Sequence, residues 1–160
     1  MSTRAAWRLE GAGLGPVYDY VAGKTDWLAA GLPYEGSAQL VGSYLREHPP
    51  TVSVGGTFAE ARAAREAAGF GPVVVVNAAG VVLGVLRSED LDRTDAGDEK
   101  DTVDRSMHFG VSTVRPSEEV AQLAHRMQHA GTSRVVVTRS DGVLVGVFVS
   151  DDVHVHRHTE

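Results

Sequence analysis

Gly80-Val81-Val82-Leu83-Gly84-Val85-Leu86-Arg87-Ser88-Glu89-Asp90 returns 62 residues later as Gly142-Val143-Leu144-Val145-Gly146-Val147-Phe148-Val149-Ser150-Asp151-Asp152. Working outward, the whole of Val41–Leu91 lies on Val103–Val153 without a gap, and 15 of the 51 aligned pairs are identical. The identities fall where backbone geometry is demanding: Gly69 on Gly131, Gly80 on Gly142, Val73–Val75 on Val135–Val137. Two copies are too few for a stacked solenoid, which needs about three. A copy of about 50 residues also buries too little surface to be comfortable alone. The simpler solution is a pair of like units that cover each other's apolar faces.

Each copy reads as β-α-β-β-α, an α+β fold. In the first, Thr51–Val54 is a short strand and Thr57-Phe58-Ala59-Glu60 is a capping box at the head of an Ala-rich helix. Gly69 sits where a left-handed helix end is wanted. Pro72–Asn77 is a β-branched strand, Ala78-Ala79-Gly80 a turn, and Val81–Leu86 the returning strand of a hairpin. Ser88-Glu89-Asp90 then opens a helix, its acids favoured by the macrodipole. In the second copy the strand entry is Thr113-Val114. Ser117-Glu118-Glu119 is predicted to start a helix that ends at Gly131. Arg134–Thr138 and Val143–Val149 form the hairpin, and Ser150-Asp151-Asp152 opens the last helix. The expected organisation is an N-terminal strap over residues 1–40, repeat 1 over 41–91, and a charged linker over 92–102. Repeat 2 follows over 103–153, then a His-rich tail over 154–160. The two sheets are expected to pack on each other.

The totals narrow the function. A formal charge of −6 argues against a nucleic-acid surface, which needs a clustered basic face. No apolar run reaches the roughly 18 residues of a membrane span. The N-terminus, Met1–Trp7, lacks the apolar core of a secretion signal, so the cytoplasm is the expected compartment. Zero cysteines leaves no disulfide, thiolate metal site or cysteine nucleophile.

The repeat resembles a tandem pair of CBS domains, a Bateman module. The resemblance is carried by the duplication and by the two Gly-x-x-x-x-x-Asp ends, Gly84 to Asp90 and Gly146 to Asp152, each preceded by a Val-rich strand and a Gly turn. It covers Val41–Val153, about 70 % of the chain. It implies a pseudo-twofold pair that binds an adenosine-containing ligand between its units and regulates another protein. Asp90 and Asp152 would accept from ribose hydroxyls. The N–H groups at the helix starts they open would face a phosphate. Val73 and Val135 at the strand edges would sandwich the adenine. Arg134 stands where some members place a basic phosphate contact, with Ser133 beside it; its counterpart in the first copy is Pro72. The family pattern usually has Thr or Ser three residues after the Gly. Here Arg87 and Val149 occupy those positions, and Ser88 and Ser150 come one later. Arg87 can pair with a phosphate, whereas Val149 cannot hydrogen-bond at all, so at most one good site is expected. For the acids and the serines, helix capping is the alternative role.

Outside the repeat, Val17–Pro33 resembles the last strand-turn-helix of rhodanese-like domains, over a fragment too short for that fold. The persulfide-carrying cysteine is absent, which excludes sulfur transfer. Thr25-Asp26 can cap a short helix there. Tyr18, Tyr20, Trp27 and Leu28 make an apolar face expected to bury against the repeat pair or a second copy of the chain, with docking of a partner as the other use. His125 and His129 stand at i and i+4, a chelating spacing, but no third ligand is evident. No metal or cofactor is expected. Gly11-Ala12-Gly13-Leu14-Gly15 precedes no convincing helix and is a weak phosphate-loop signal. No catalytic constellation emerges. The chain reads as a non-enzymatic, homodimeric sensor of an adenine nucleotide (AMP, ADP, ATP or similar) acting on an unidentified regulated protein. A ligand-independent scaffold of the same fold is the alternative.

Overall fold

The computed structural model describes residues 3–18, 20–46, 48–69, 71–93 and 101–151. Unit 1 is built from β2 (Thr51–Ser53), α3 (Phe58–Ala68), β3 (Val73–Val76), β4 (Val82–Leu86) and α4 (Ser88–Arg93). Unit 2 repeats the order with β5 (Thr113–Val114), α5 (Val120–Ala130), β6 (Arg134–Thr138) and β7 (Leu144–Val149). Ser150 and Asp151 are already helical. In each unit the first strand runs parallel to the second, and the second pairs antiparallel with the third. The hairpins even share an irregularity, a register shift at Val75/Val76 and at Val137/Thr138.

Local chemistry explains most of these boundaries. The Thr57 hydroxyl accepts from the Glu60 N–H at 3.3 Å, and the Glu60 carboxylate accepts from the Thr57 N–H at 2.8 Å. This reciprocal cap satisfies two otherwise orphaned donors. Gly69 and Gly131 end α3 and α5 at φ of 69° and 63°, a region open to glycine at little cost. The helix predicted from Ser117 begins instead at Val120. Glu119 is extended and bridges to Leu40, while the Glu118 carbonyl accepts from the Val41 N–H at 2.9 Å. The Glu118 carboxylate turns back to the Arg115 N–H and to Arg126. These partners, distant in sequence, take the groups a helix start would have used.

The join between the units is an exchange of leading segments. A short strand of repeat 1, β1 (Leu45–Arg46), pairs antiparallel with β7 of unit 2, Leu45 opposite Phe148 and Arg46 opposite Val147. The matching segment of repeat 2 returns the contact: His108 pairs antiparallel with Val85 of β4. The cores follow. Val103 and Met107 are buried with Val52, Phe58, Ala61, Val73, Val75, Leu86 and Leu91 of unit 1. Val41, Tyr44 and Leu45 pack with Val114, Val120, Leu123, Met127, Val137 and Phe148 of unit 2. At the centre the hairpin tips meet, Val81 opposite Val143, with the Val82 N–H donating to Gly142 and the Leu144 N–H to Gly80. Because residue pairs 62 apart exchange identical bonds, a pseudo-twofold axis passes between the tips. Strand alternation turns Val74, Val136 and Val147 away from the two cores. They are nonetheless buried, at 0 %, 4 % and 2 % exposure.

The N-terminal segment docks lightly. It holds α1 (Thr3–Gly11) and α2 (Gly23–Ala29). No strand forms at Val17–Tyr18 or Tyr20, and α2 starts at Gly23 rather than at a Thr25-Asp26 cap. The Asp26 carboxylate has other partners: it accepts from the Tyr20 hydroxyl at 2.7 Å and pairs with Arg139 of unit 2 at 2.8 Å. Of the expected apolar face only Leu28 is buried; Tyr18 stays 82 % exposed, and Tyr20 stacks edge-on to Trp27. The Tyr20 phenol is raised above its ordinary 10.0, chiefly by donating to Asp26, since ionisation would set two anions side by side. This contribution to stability is present below the ordinary tyrosine range and is lost as pH rises through the elevated value. Asp26→Asn should return the Tyr20 titration toward 10, read by tyrosinate absorbance. It should also lower the urea unfolding midpoint slightly, since an exposed pair contributes little. An unchanged Tyr20 titration would show that α2 is not seated as described.

Candidate functional site

Between the two units opens a cleft of about 370 Å³, lined in part by the sheet faces that are turned away from the cores, with Pro72 at its edge. Both units build it. Val85 comes from β4, Val135 and Val136 from β6, and Val147 from β7, which makes the interior apolar. Arg87 stands just past the end of β4, and Arg134 at the head of β6, both exposed and both lining the cleft. The stretch from His108 to Ser112, leading from the exchanged segment to β5, forms the remaining wall. In it Phe109 is 71 % exposed and Gly110 takes φ +71°, letting the chain turn from one unit to the other.

His108 ties the wall to unit 1. Its backbone exchanges hydrogen bonds with Val85 at 2.9 and 3.1 Å. Its Nε2 lies 3.0 Å from Asp90 Oδ2, and the same oxygen accepts from the Arg87 N–H at 2.8 Å. Asp90 thus caps α4 by reaching back to the residue before it and holds the imidazole at the cleft edge. Its side chain is 18 % exposed. The first N–H expected to face a phosphate is therefore already used inside the chain.

The sequence candidates separate clearly. Arg87, Arg134 and Val135 come together in the cleft. Asp90 stands behind His108 with its carboxylate engaged. Val73 does not reach the cleft: at 0 % exposure it is part of the unit 1 core, which corrects the expectation that it sandwiches a base. Ser88 is exposed beside Arg65 and Asp92 in a separate depression. Ser133 is exposed, and its carbonyl accepts from the Ser150 N–H at 3.0 Å. The Ser150 hydroxyl donates to Asp151 at 3.3 Å. Asp152 and the His-rich tail lie outside the described residues, as do 94–100 of the linker. His108, Phe109 and Val85 were not singled out by the sequence. The one signal available was the alignment of His108 with Arg46, two basic residues at one repeat position.

Two guanidiniums and an imidazole at the mouth of an apolar cleft are equipped to hold an anionic group while an apolar body enters between the sheets. Elsewhere, His125 and His129 stack with ring centroids 4.5 Å apart, but no group of three potential metal ligands occurs among the described residues. No described helix is long and apolar enough to cross a membrane.

Comparison with known proteins agrees with this architecture. Residues 103–156 match the CBS domain family model. No curated protein sequence matches the chain significantly. Among solved structures, the chain is similar to the CBS domains of a transcriptional regulator from Streptococcus pneumoniae. Identity is 23 %, the TM-score 0.64, and the match covers 72 % of this chain and 96 % of that one. It is also similar to the CBS domain pair of protein MJ0100 in complex with 5′-methylthioadenosine and S-adenosyl-L-methionine. Here identity is 23 %, the TM-score 0.63, and coverage 76 % and 97 %. A third similar structure is the cytosolic domain of the Mg2+ channel MgtE in complex with ATP, at 24 % identity and TM-score 0.65. That match spans 74 % of this chain but 48 % of that one. The second unit matches the CBS domain model, and the two units together have the fold of a CBS-domain pair.

Proposed function

We propose that this CBS-domain pair is a regulatory module that binds an adenosine-containing ligand in the cleft between its units. The observation that carries the reading is the convergence of Arg87 from unit 1 and Arg134 from unit 2 on one valine-lined opening. The ligands held by two of the similar structures, ATP in one and the methylthioadenosine pair in the other, support the adenosine part. In this reading the base enters against Val135 and Val147, and the guanidiniums meet the phosphates. Asp152 is the first candidate for the ribose, and Asp90 the second, once released from His108. Ligand contacts to both units shift the protein toward whichever arrangement of the pair binds better. That arrangement is what a regulated partner would sense. A cytoplasmic homodimer completes the proposal.

A thermal-shift panel of AMP, ADP, ATP, S-adenosylmethionine and NADH tests it. A ligand at a hundredfold excess over its Kd adds about 2.7 kcal/mol to the native state, an easily seen rise in Tm. Arg134→Ala should erase that rise and leave the ligand-free Tm within about 1 °C, because an exposed side chain away from the cores carries little stability. The second reading, a scaffold that needs no ligand, is favoured by the saturation of Asp90 within the chain. No shift with any compound at millimolar concentration would leave that reading alone.

A further inference from the structure

We infer that α2 is a latch on the joint between the two units: Asp26 docked on Arg139 helps to keep the hairpin tips together, and a rearrangement that parts the tips releases the N-terminal segment. The inference goes beyond the ligand reading and holds whatever occupies the cleft.

The two hairpin turns occupy the same repeat position but close differently. In unit 1 the Asn77 side-chain oxygen accepts from the Ala79 and Val81 N–H groups at 2.9 and 3.0 Å, so the turn is closed by its own residues. The counterpart of Asn77 in unit 2 is Arg139, which has no acceptor on its side chain. There Asp141 takes the Val143 N–H at 3.1 Å, and Arg139 reaches beyond the turn. Its guanidinium lies 2.8 Å from the Asp26 carboxylate of α2 and 3.4 Å from that of Asp141. The Tyr20 hydroxyl donates to the other Asp26 oxygen at 2.7 Å. The Asp26 side chain is 16 % exposed, and a partly buried ion pair is screened less than one in open water. The turn of unit 1 offers no guanidinium for a second carboxylate, so the strap has one place to dock.

That place is also where the units join. The Gly142 carbonyl at the end of the turn accepts from the Val82 N–H of unit 1 at 3.1 Å, and the Leu144 N–H donates to Gly80 at 3.0 Å. Arg139 is tied to this stretch by its backbone: its N–H donates to Val143 at 2.8 Å, and its carbonyl accepts from Gly142 at 3.0 Å. One short turn therefore carries both the anchor of the strap and the bonds between the units. The rest of the segment holds on weakly. Among the described residues before Leu40 only Leu28 is buried, and residues 31–39 are exposed throughout. Arg139 Nε is buried without a hydrogen-bond partner among the described residues, a cost that the docked state carries. With so little buried, α2 opens at low free energy. Because docking and tip closure depend on the geometry of one turn, each favours the other, and by the same factor.

Amide hydrogen exchange of the full chain, read by NMR in Arg139→Met and in Asp26→Ala, tests the latch. In both variants the Val82 and Leu144 amides should exchange about five- to tenfold faster than in the parent, because the tips open more often. The Val85 and His108 amides, which join the units away from the tips, should keep the parent's rates. Trypsin should also cut faster after the exposed Lys24 in both variants, which reports the release of α2. An effect of Arg139→Met that Asp26→Ala does not share would overturn the inference, since Arg139 would then act on its own turn alone. So would an equal rise at all four amides, which is loss of global stability, or unchanged rates at Val82 and Leu144 with α2 released. Unchanged cleavage after Lys24 would show that the ion pair does not hold α2, and would overturn it as well.

Discussion

Phe148→Ala should destabilise the protein by about 3–5 kcal/mol, the range for emptying a fully buried aromatic site. Phe148 has no exposed surface and sits in the unit 2 core with Leu123, Met127 and Val137. Its neighbours on either side belong to different parts of the chain: Leu45 of β1 is its partner across one strand boundary, and Val135 across the other. The ring therefore helps hold the segment lent by repeat 1 as well as its own hairpin. Domains of this size are stable by about 5–15 kcal/mol in total, so the variant should lose a large share of its stability. Urea unfolding measures the loss. A change below about 1 kcal/mol would mean that β1 does not close this core. Leu86, its pseudosymmetric counterpart in unit 1, is equally buried and offers a matched comparison.

The second large effect is expected at a pair of glycines whose role is space rather than conformation. A Cβ on Gly84 would stand 2.8 Å from the His108 carbonyl oxygen and 3.2 Å from Met107 Sδ. A Cβ on Gly146 would stand 2.8 Å from the Arg46 carbonyl oxygen. In both cases the obstructing atom is backbone of the exchanged segment, which cannot rotate aside as a side chain can. Gly84→Ala and Gly146→Ala should each cost about 3 kcal/mol, the upper part of the usual overpacking range. Gly69→Ala, with open space around its Cβ and φ of +69°, would suffer from backbone strain alone, about 1 kcal/mol. Midpoints in urea for the three variants decide the matter. If Gly84→Ala and Gly146→Ala fell no further than Gly69→Ala, the close crossing of the segments would be wrong.

These residues also show where sequence reading succeeds and where it stops. The hairpins, the helix ends at Gly69 and Gly131 and the capping box at Thr57 were legible because their signals are local, spanning a few residues. The exchange of leading segments was not. Leu45–Arg46 is too short to show an alternation, and its partner Val147 lies about a hundred residues away, a separation that no periodicity reports. Gly84 and Gly146 stood out as identical, but the atoms that require them were visible only after folding. Val73 and Val135 occupy the same repeat position and were assigned the same role. Both pack against the core of their own unit, and only Val135 also reaches the cleft. Arg87 and Arg134 were legible as cations out of pattern, and the departure from symmetry is what makes them informative. His108 was missed because it belongs by sequence to repeat 2 and by pairing to unit 1.

The most direct test of ligand binding between the units is a two-dimensional amide NMR titration with ADP. The account predicts shifts confined to the lining of the cleft, Val85 and Arg87, His108 to Ser112, and Thr132 to Val136. Shifts centred away from these residues, or no shift anywhere at millimolar ADP, would contradict it.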